Sequence, residues 1–113
     1  MKYALCLIPL VLTACTTARE DYLQSIKDGV DSRITYKHYY SSKVVRVGKD
    51  EKAEGNCMIF AANYLIDTLE PGGAVKTCTL RNGEPHAFYM TRDGYVLDNR
   101  QKWVGRYEDV GCK

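Results

Sequence analysis

Histidine is scarce in this sequence. Only His38 and His86 occur among its 113 residues, so chemistry that needs an imidazole has two positions to draw on. An excess of one charge is also missing. The 16 Lys and Arg stand against 14 Asp and Glu, a net +2 at pH 7. That balance lacks the basic footprint of a nucleic-acid-binding domain, and no nucleic-acid partner is expected. No apolar run reaches the roughly 20 residues of a membrane-spanning helix. Repeats and low-complexity tracts are absent too, so the chain is expected to fold as one domain, and as a monomer.

What is present starts with "MKYALCLIPLVLTAC". Lys2 precedes an apolar run from Tyr3 to Leu12, the n- and h-regions of a secretory signal. "LTAC", Leu12 to Cys15, resembles the lipobox of bacterial lipoproteins. The resemblance implies a signal peptide over residues 1–14, cleavage before Cys15 and lipid on its sulfur. The mature domain, residues 15–113, would then be anchored to a membrane without spanning it, facing the periplasm of the cell envelope. The alternative is an ordinary signal with a chance cysteine.

Of the 5 cysteines, Cys6 leaves with the signal and Cys15 would carry the lipid. Cys57, Cys78 and Cys112 remain, an odd set in an exported, disulfide-permissive chain. A Cys78–Cys112 bridge would tie the C-terminus to the middle of the domain; the alternative is two free, buried thiols.

Elements follow from patterning. Thr17 and Glu20 have the spacing of a capping box, and Tyr22, Ile26 and Val30 recur every fourth residue, which predicts a first helix. "SRITYKHYY" and "SKVVRVG" read as short strands, and "KDEKAEG" as a solvated connection. Asn56 is a favoured N-cap for a second helix that presents Cys57, Ala61, Leu65 and Leu69 on one face, with Phe60 and Tyr64 beside them. Pro71-Gly72-Gly73 stops it. "AVKTCTL", "HAFYM" and "YVLDN" read as strands joined by turns. Trp103 and Tyr107 are expected in the core. The fold class is α+β, a central helix carrying Cys57 packed on an antiparallel sheet.

With Asn56 as cap, Cys57 takes the first helical position. Unpaired N–H groups and the positive end of the helix dipole favour its thiolate, the nucleophilic form. The same N–H groups could hold an oxyanion after attack on a carbonyl. A nucleophilic thiol also needs a base and a group that orients the base. His86 opens a strand, and Asp98 ends the next one. Their meeting depends on the turn between them. A two-residue Asp93-Gly94 turn would put Asp98 on the face away from His86. A three-residue loop, Arg92 to Gly94 with Gly94 left-handed, pairs Thr91 with Tyr95. Asp98 then faces Phe88, on the side of His86 and one diagonal step away. A loop over Thr91 to Asp93 would set them directly opposite.

"GNC" at a helix start, a histidine opening a strand and "LDN" ending the next resemble the Cys-His-Asp pattern of the transglutaminase-like superfamily. Bacterial transglutaminase-like cysteine peptidases are the nearest in motif. The likeness runs from about Gly55 to Asn99. It implies a papain-like core and hydrolysis of a peptide or isopeptide bond through a thioester, with a protein or peptide as substrate. Cys57 would attack, His86 would serve as base and then acid, and Asp98 would orient the imidazole. Acyl transfer to an amine uses the same intermediate. For the oxyanion or the substrate, Asn56, Tyr39 and Tyr40 are the candidates. Asn56 stands where the related motif has aspartate, and Met58-Ile59 stand where acidic residues are common. Calcium, which some related proteins need, is therefore not carried over, and no metal or other cofactor is expected. Two rivals stay open. One is a Cys-His peptidoglycan endopeptidase, which usually has Ser-Gly after the cysteine. The other is a non-catalytic binding lipoprotein that keeps the fold.

Overall fold

Helix α1 runs from Ala18 to Arg33, and Thr17 caps it by accepting a hydrogen bond from Glu20 N at 3.1 Å. The protein is seen here as a computed structural model that describes residues 17–38 and 45–113. The signal segment, Cys15, Tyr39 and Tyr40 lie outside the described residues. The buried face of α1 differs from the expected Tyr22–Ile26–Val30 stripe. Leu23, Gln24, Lys27 and Val30 are buried, while Tyr22 is exposed. Polar partners inside the fold cause the rotation. The Lys27 ammonium, fully buried, donates to Asp31 at 2.6 Å and lies over the Tyr64 ring. Gln24 accepts from Val104 N at 2.8 Å and donates to Lys102 O at 3.1 Å. A buried charge is tolerated only when so paired.

Strand β1 (Ile34–Tyr36) pairs in parallel with β2 (Ala53–Gly55), Tyr36 opposite Gly55. The strand expected in "SKVVRVG" does not form over residues 45–48. Asn63 of the following helix claims that segment instead. It accepts from Val47 N at 2.9 Å and donates to Val45 O at 2.9 Å, while Val47 enters the core. The strand comes from the end of the charged connection "KDEKAEG". There Gly55 lets the chain pass against Ile59, where a Cβ would fall 2.6 Å from the Ile59 side chain.

Helix α2 (Cys57–Thr68) buries Ile59, Phe60, Ala61, Ala62, Asn63 and Tyr64. Leu69, expected on its apolar face, is the C-cap in left-handed conformation (φ 52°) and is 85% exposed. That conformation turns the side chain off the helix. Strands β3 (Ala74–Thr79), β4 (Pro85–Met90) and β5 (Val96–Leu97) form an antiparallel sheet in that order. One face, through Tyr89 and Leu97, packs in a cluster with Leu23, Val30, Ile34, Phe60 and Tyr64. The other, through Phe88 and Val96, is covered by Leu80 and Val110. A disulfide joins Cys78 to Cys112, and Lys113 N donates to Thr79 O at 2.8 Å, so the C-terminus is laid along β3. Tyr107, expected in the core, is 48% exposed, although its ring tilts against Phe88. Trp103 is half-buried, with the Lys102 ammonium over its ring. The chain is thus an α+β domain in which two helices and an antiparallel sheet share one core.

Candidate active site

The β4–β5 loop sets the site. Thr91 N donates to Tyr95 O at 2.8 Å and Gly94 N to Thr91 O at 3.0 Å, with Gly94 at φ 89°. This is the three-residue loop with a left-handed glycine, a conformation that a side chain would strain. Tyr89 pairs with Leu97 and Met90 with Val96, so the same register places Asp98 opposite Phe88 and on the side of His86. Both side chains are buried, His86 5% and Asp98 1% exposed. His86 Nε2 lies 2.7 Å from Asp98 Oδ1, which also accepts from Arg100 N at 3.0 Å. Asp98 Oδ2 is buried with no hydrogen-bond partner among the described residues. The carboxylate's compensation therefore comes through Oδ1, from the imidazole and one backbone N–H.

Cys57 reaches this pair from α2. Strand β5 ends at Leu97 and the chain turns at residues 98–101, where Gln101 N bonds to Asp98 O. The ladder therefore stops before it reaches Ala87. Ala87 N–H, on the β5 side of β4, meets the Cys57 sulfur at 3.3 Å instead. The helix N-terminus fills the slot that the short strand leaves open. Asn56 prepares that end: its Oδ1 accepts from Met58 N at 3.1 Å and Ile59 N at 3.4 Å. Asn56, a candidate for binding an oxyanion or substrate, thus spends its side-chain oxygen on the helix.

The electrostatics follow from these contacts. Burial alone would push the half-buried Cys57 thiol up. A hydrogen bond with His86, the Ala87 N–H, the charge of His86 and the Met58 N–H outweigh it, and the thiol sits below its ordinary value. Burial alone would push the His86 imidazole down. Hydrogen bonds to Asp98 and then Cys57, and the charges of both, raise it to about 9. A thiolate–imidazolium pair is thus the favoured state from the lowered thiol value up to about pH 9. Since Nε2 is taken by Asp98, Nδ1 is the nitrogen left for the sulfur. Set against family models, curated proteins and solved structures, the chain matches none. The case for function therefore rests on this geometry alone.

Three of the residues singled out in the sequence, Cys57, His86 and Asp98, come together. Cys78 and Cys112 form the bridge on the far side of β4 and β3 from α2. Among the described residues no three His, Cys, Asp or Glu side chains gather as a metal site, and no helix is long and apolar enough to cross a membrane. Sequence reasoning missed Tyr36. Its hydroxyl feels the charges of Cys57, Glu84 and Arg100, which arrive from three different segments. A register between β1 and β2 was the signal needed, and "KDEKAEG" does not look like a strand.

Proposed function

We propose that the protein is a thiol hydrolase of transglutaminase-like type, with a papain-like arrangement of helix and sheet. In this reading it is lipid-anchored at Cys15, faces the periplasm and acts on a peptide or isopeptide bond. The observation that carries it is a half-buried thiol at a helix start, 3.3 Å from the N–H of Ala87 and so beside His86, whose imidazole is held by a buried carboxylate. The Cys57 thiolate attacks the carbonyl carbon, and the π pair moves to oxygen. Collapse of that intermediate expels the leaving group, which takes a proton from His86, and a thioester remains on Cys57. His86, now neutral, takes a proton from water, whose oxygen attacks the thioester. The acid is released, the sulfur leaves as thiolate and His86 is again an imidazolium.

The test uses p-nitrophenyl acetate. The wild-type chain should give a burst of p-nitrophenolate, one per chain, followed by steady turnover, with the acetyl group found on Cys57 by mass spectrometry. Cys57→Ser should lose the burst. A single round of acetylation with no turnover would sink the hydrolase reading and favour a binding module that keeps the fold.

A further inference from the structure

The upstream strand β1 brings a hydrogen-bonded pair of side chains to the nucleophile. Tyr36 lies opposite Gly55, two residues before Cys57, and Lys37 N donates to Gly55 O at 2.9 Å, which holds this end of the register. Tyr36 shares its strand face with Ile34, and Ile34 sits in the core cluster that contains Ile59 and Phe60 from the first turn of α2. The Tyr36 ring therefore stands at the end of the strand beside the start of α2, and it is 46% exposed, open to an incoming molecule. Its hydroxyl lies 2.9 Å from His38 Nδ1. Sharing that bond constrains both side chains.

We infer that the Tyr36 hydroxyl, set by His38, donates a hydrogen bond to the carbonyl oxygen of the acyl group as Cys57 attacks it. This deepens the proposed thiol hydrolase and rests on that reading. Negative charge develops on the carbonyl oxygen when the sulfur adds, and a donor aimed there lowers the barrier. The Cys57 N–H, at the first helical position and without an intrahelical acceptor, is one donor of that kind. Tyr36 comes from β1, the strand paired with the residues that lead into the helix. His38 decides which way the phenol points its proton. When His38 Nδ1–H donates to Tyr36 Oη, the O–H is left for the substrate. Burial, then the charges of Cys57 and Glu84, hold the phenol above its ordinary value against the opposing charge of Arg100. It stays a donor over the range, up to about pH 9, in which the thiolate–imidazolium pair stands. Tyr36 then touches the reacting oxygen, and His38 is a positioning residue.

Two reagents separate this role from a structural one. Acylation of Cys57 by p-nitrophenyl acetate passes through an oxyanion; alkylation by iodoacetamide is a direct displacement and does not. Tyr36→Phe should slow acylation about ten- to a hundredfold, below the roughly 10²–10³ of an enclosed donor because the phenol is half open to water. Alkylation should stay within about twofold. His38→Ala should lower the ratio of acylation to alkylation in the same direction by a smaller factor. His38→Gln, whose amide N–H can still donate to the phenol, should restore it. Equal acylation by wild type and Tyr36→Phe would overturn the assignment and leave the hydrolase intact. A parallel drop in both reactions would also overturn it, since that marks a disturbed fold or thiolate. A wild type that alkylates and never acylates would remove the hydrolase reading, and Tyr36's role with it.

Discussion

His86→Ala should raise the midpoint of Cys57 alkylation by iodoacetamide from below the ordinary thiol range up to it, about pH 8.5. At pH 6 an ordinary thiol is only about 0.3% ionised, so the variant should react more slowly there than wild type. The reason lies in the order of contributions. Burial works against the thiolate, and His86, through its hydrogen bond and its charge, is the largest opposing influence. Asp98→Asn should move the midpoint the same way but less, because His86 itself stays beside the sulfur. Turnover should fall again on the alkaline side as His86 loses its proton near 9 and can no longer act as acid. The same shift governs stability. The folded His86 value is raised, so its contribution is complete below the unfolded value of about 6.5. It is lost as pH rises through about 9. The Cys57 value is lowered, so its contribution is present above the unfolded thiol value and is lost as pH falls through the folded one. The two describe one ion pair and are not summed. Identical alkylation profiles for wild type and His86→Ala would show that the sulfur is not paired.

The Cys78→Ala/Cys112→Ala double variant should lose about 3–4 kcal/mol of stability, from the chain entropy of an opened loop. The bridge spans 34 residues of sequence. For a domain of this size that corresponds to a fall in Tm of about 15–25 °C, read by thermal melting in a Cys57→Ser background so that no thiol among the described residues is left to react. The bridge also has a local consequence. Cys78 pairs directly with His86 across β3 and β4, and the imidazole stacks at 25° on Phe88. Phe88 in turn lies under Leu80 and under Val110 and Tyr107 of the C-terminal segment that the bridge holds down. The double variant carrying Cys57 should therefore also show a less acidic Cys57. A drop in Tm of under about 5 °C would mean that the C-terminal segment is held by its hydrogen bonds and packing alone.

The parts of this molecule that were legible in sequence are those governed by local rules. A helix cap acts over three residues, so Asn56 places Cys57 without reference to the rest of the fold. Hairpin register follows from loop length and from a glycine able to take positive φ, so Arg92–Gly94 carries the meeting of His86 with Asp98. What stayed hidden depends on partners distant in sequence. Lys27 looks like a surface residue until Asp31 and Tyr64 receive it. Val45 and Val47 look like a strand until Asn63 takes their backbone groups. Ala53-Glu54-Gly55 has none of the β-branched residues of a strand, and its pairing with Ile34–Tyr36 is a non-local parallel contact. Tyr36 was hidden for the same reason, being near Cys57 only through that pairing.

The disulfide gives the site a requirement about redox poise. In the proposed hydrolase Cys57 acts only as a free thiolate, and any oxidant that converts it to a sulfenic acid or a mixed disulfide removes the nucleophile. Cys78 and Cys112 hold the sheet face behind His86 only while they are oxidised to each other. One chain therefore needs the sulfur at the start of α2 reduced and the two sulfurs of β3 and the C-terminal segment joined. A strong dithiol restores the first and breaks the second, so the most active preparation lies at an intermediate strength of reductant. There the exposed adducts of Cys57 are cleared while the bridge between β3 and the C-terminus survives.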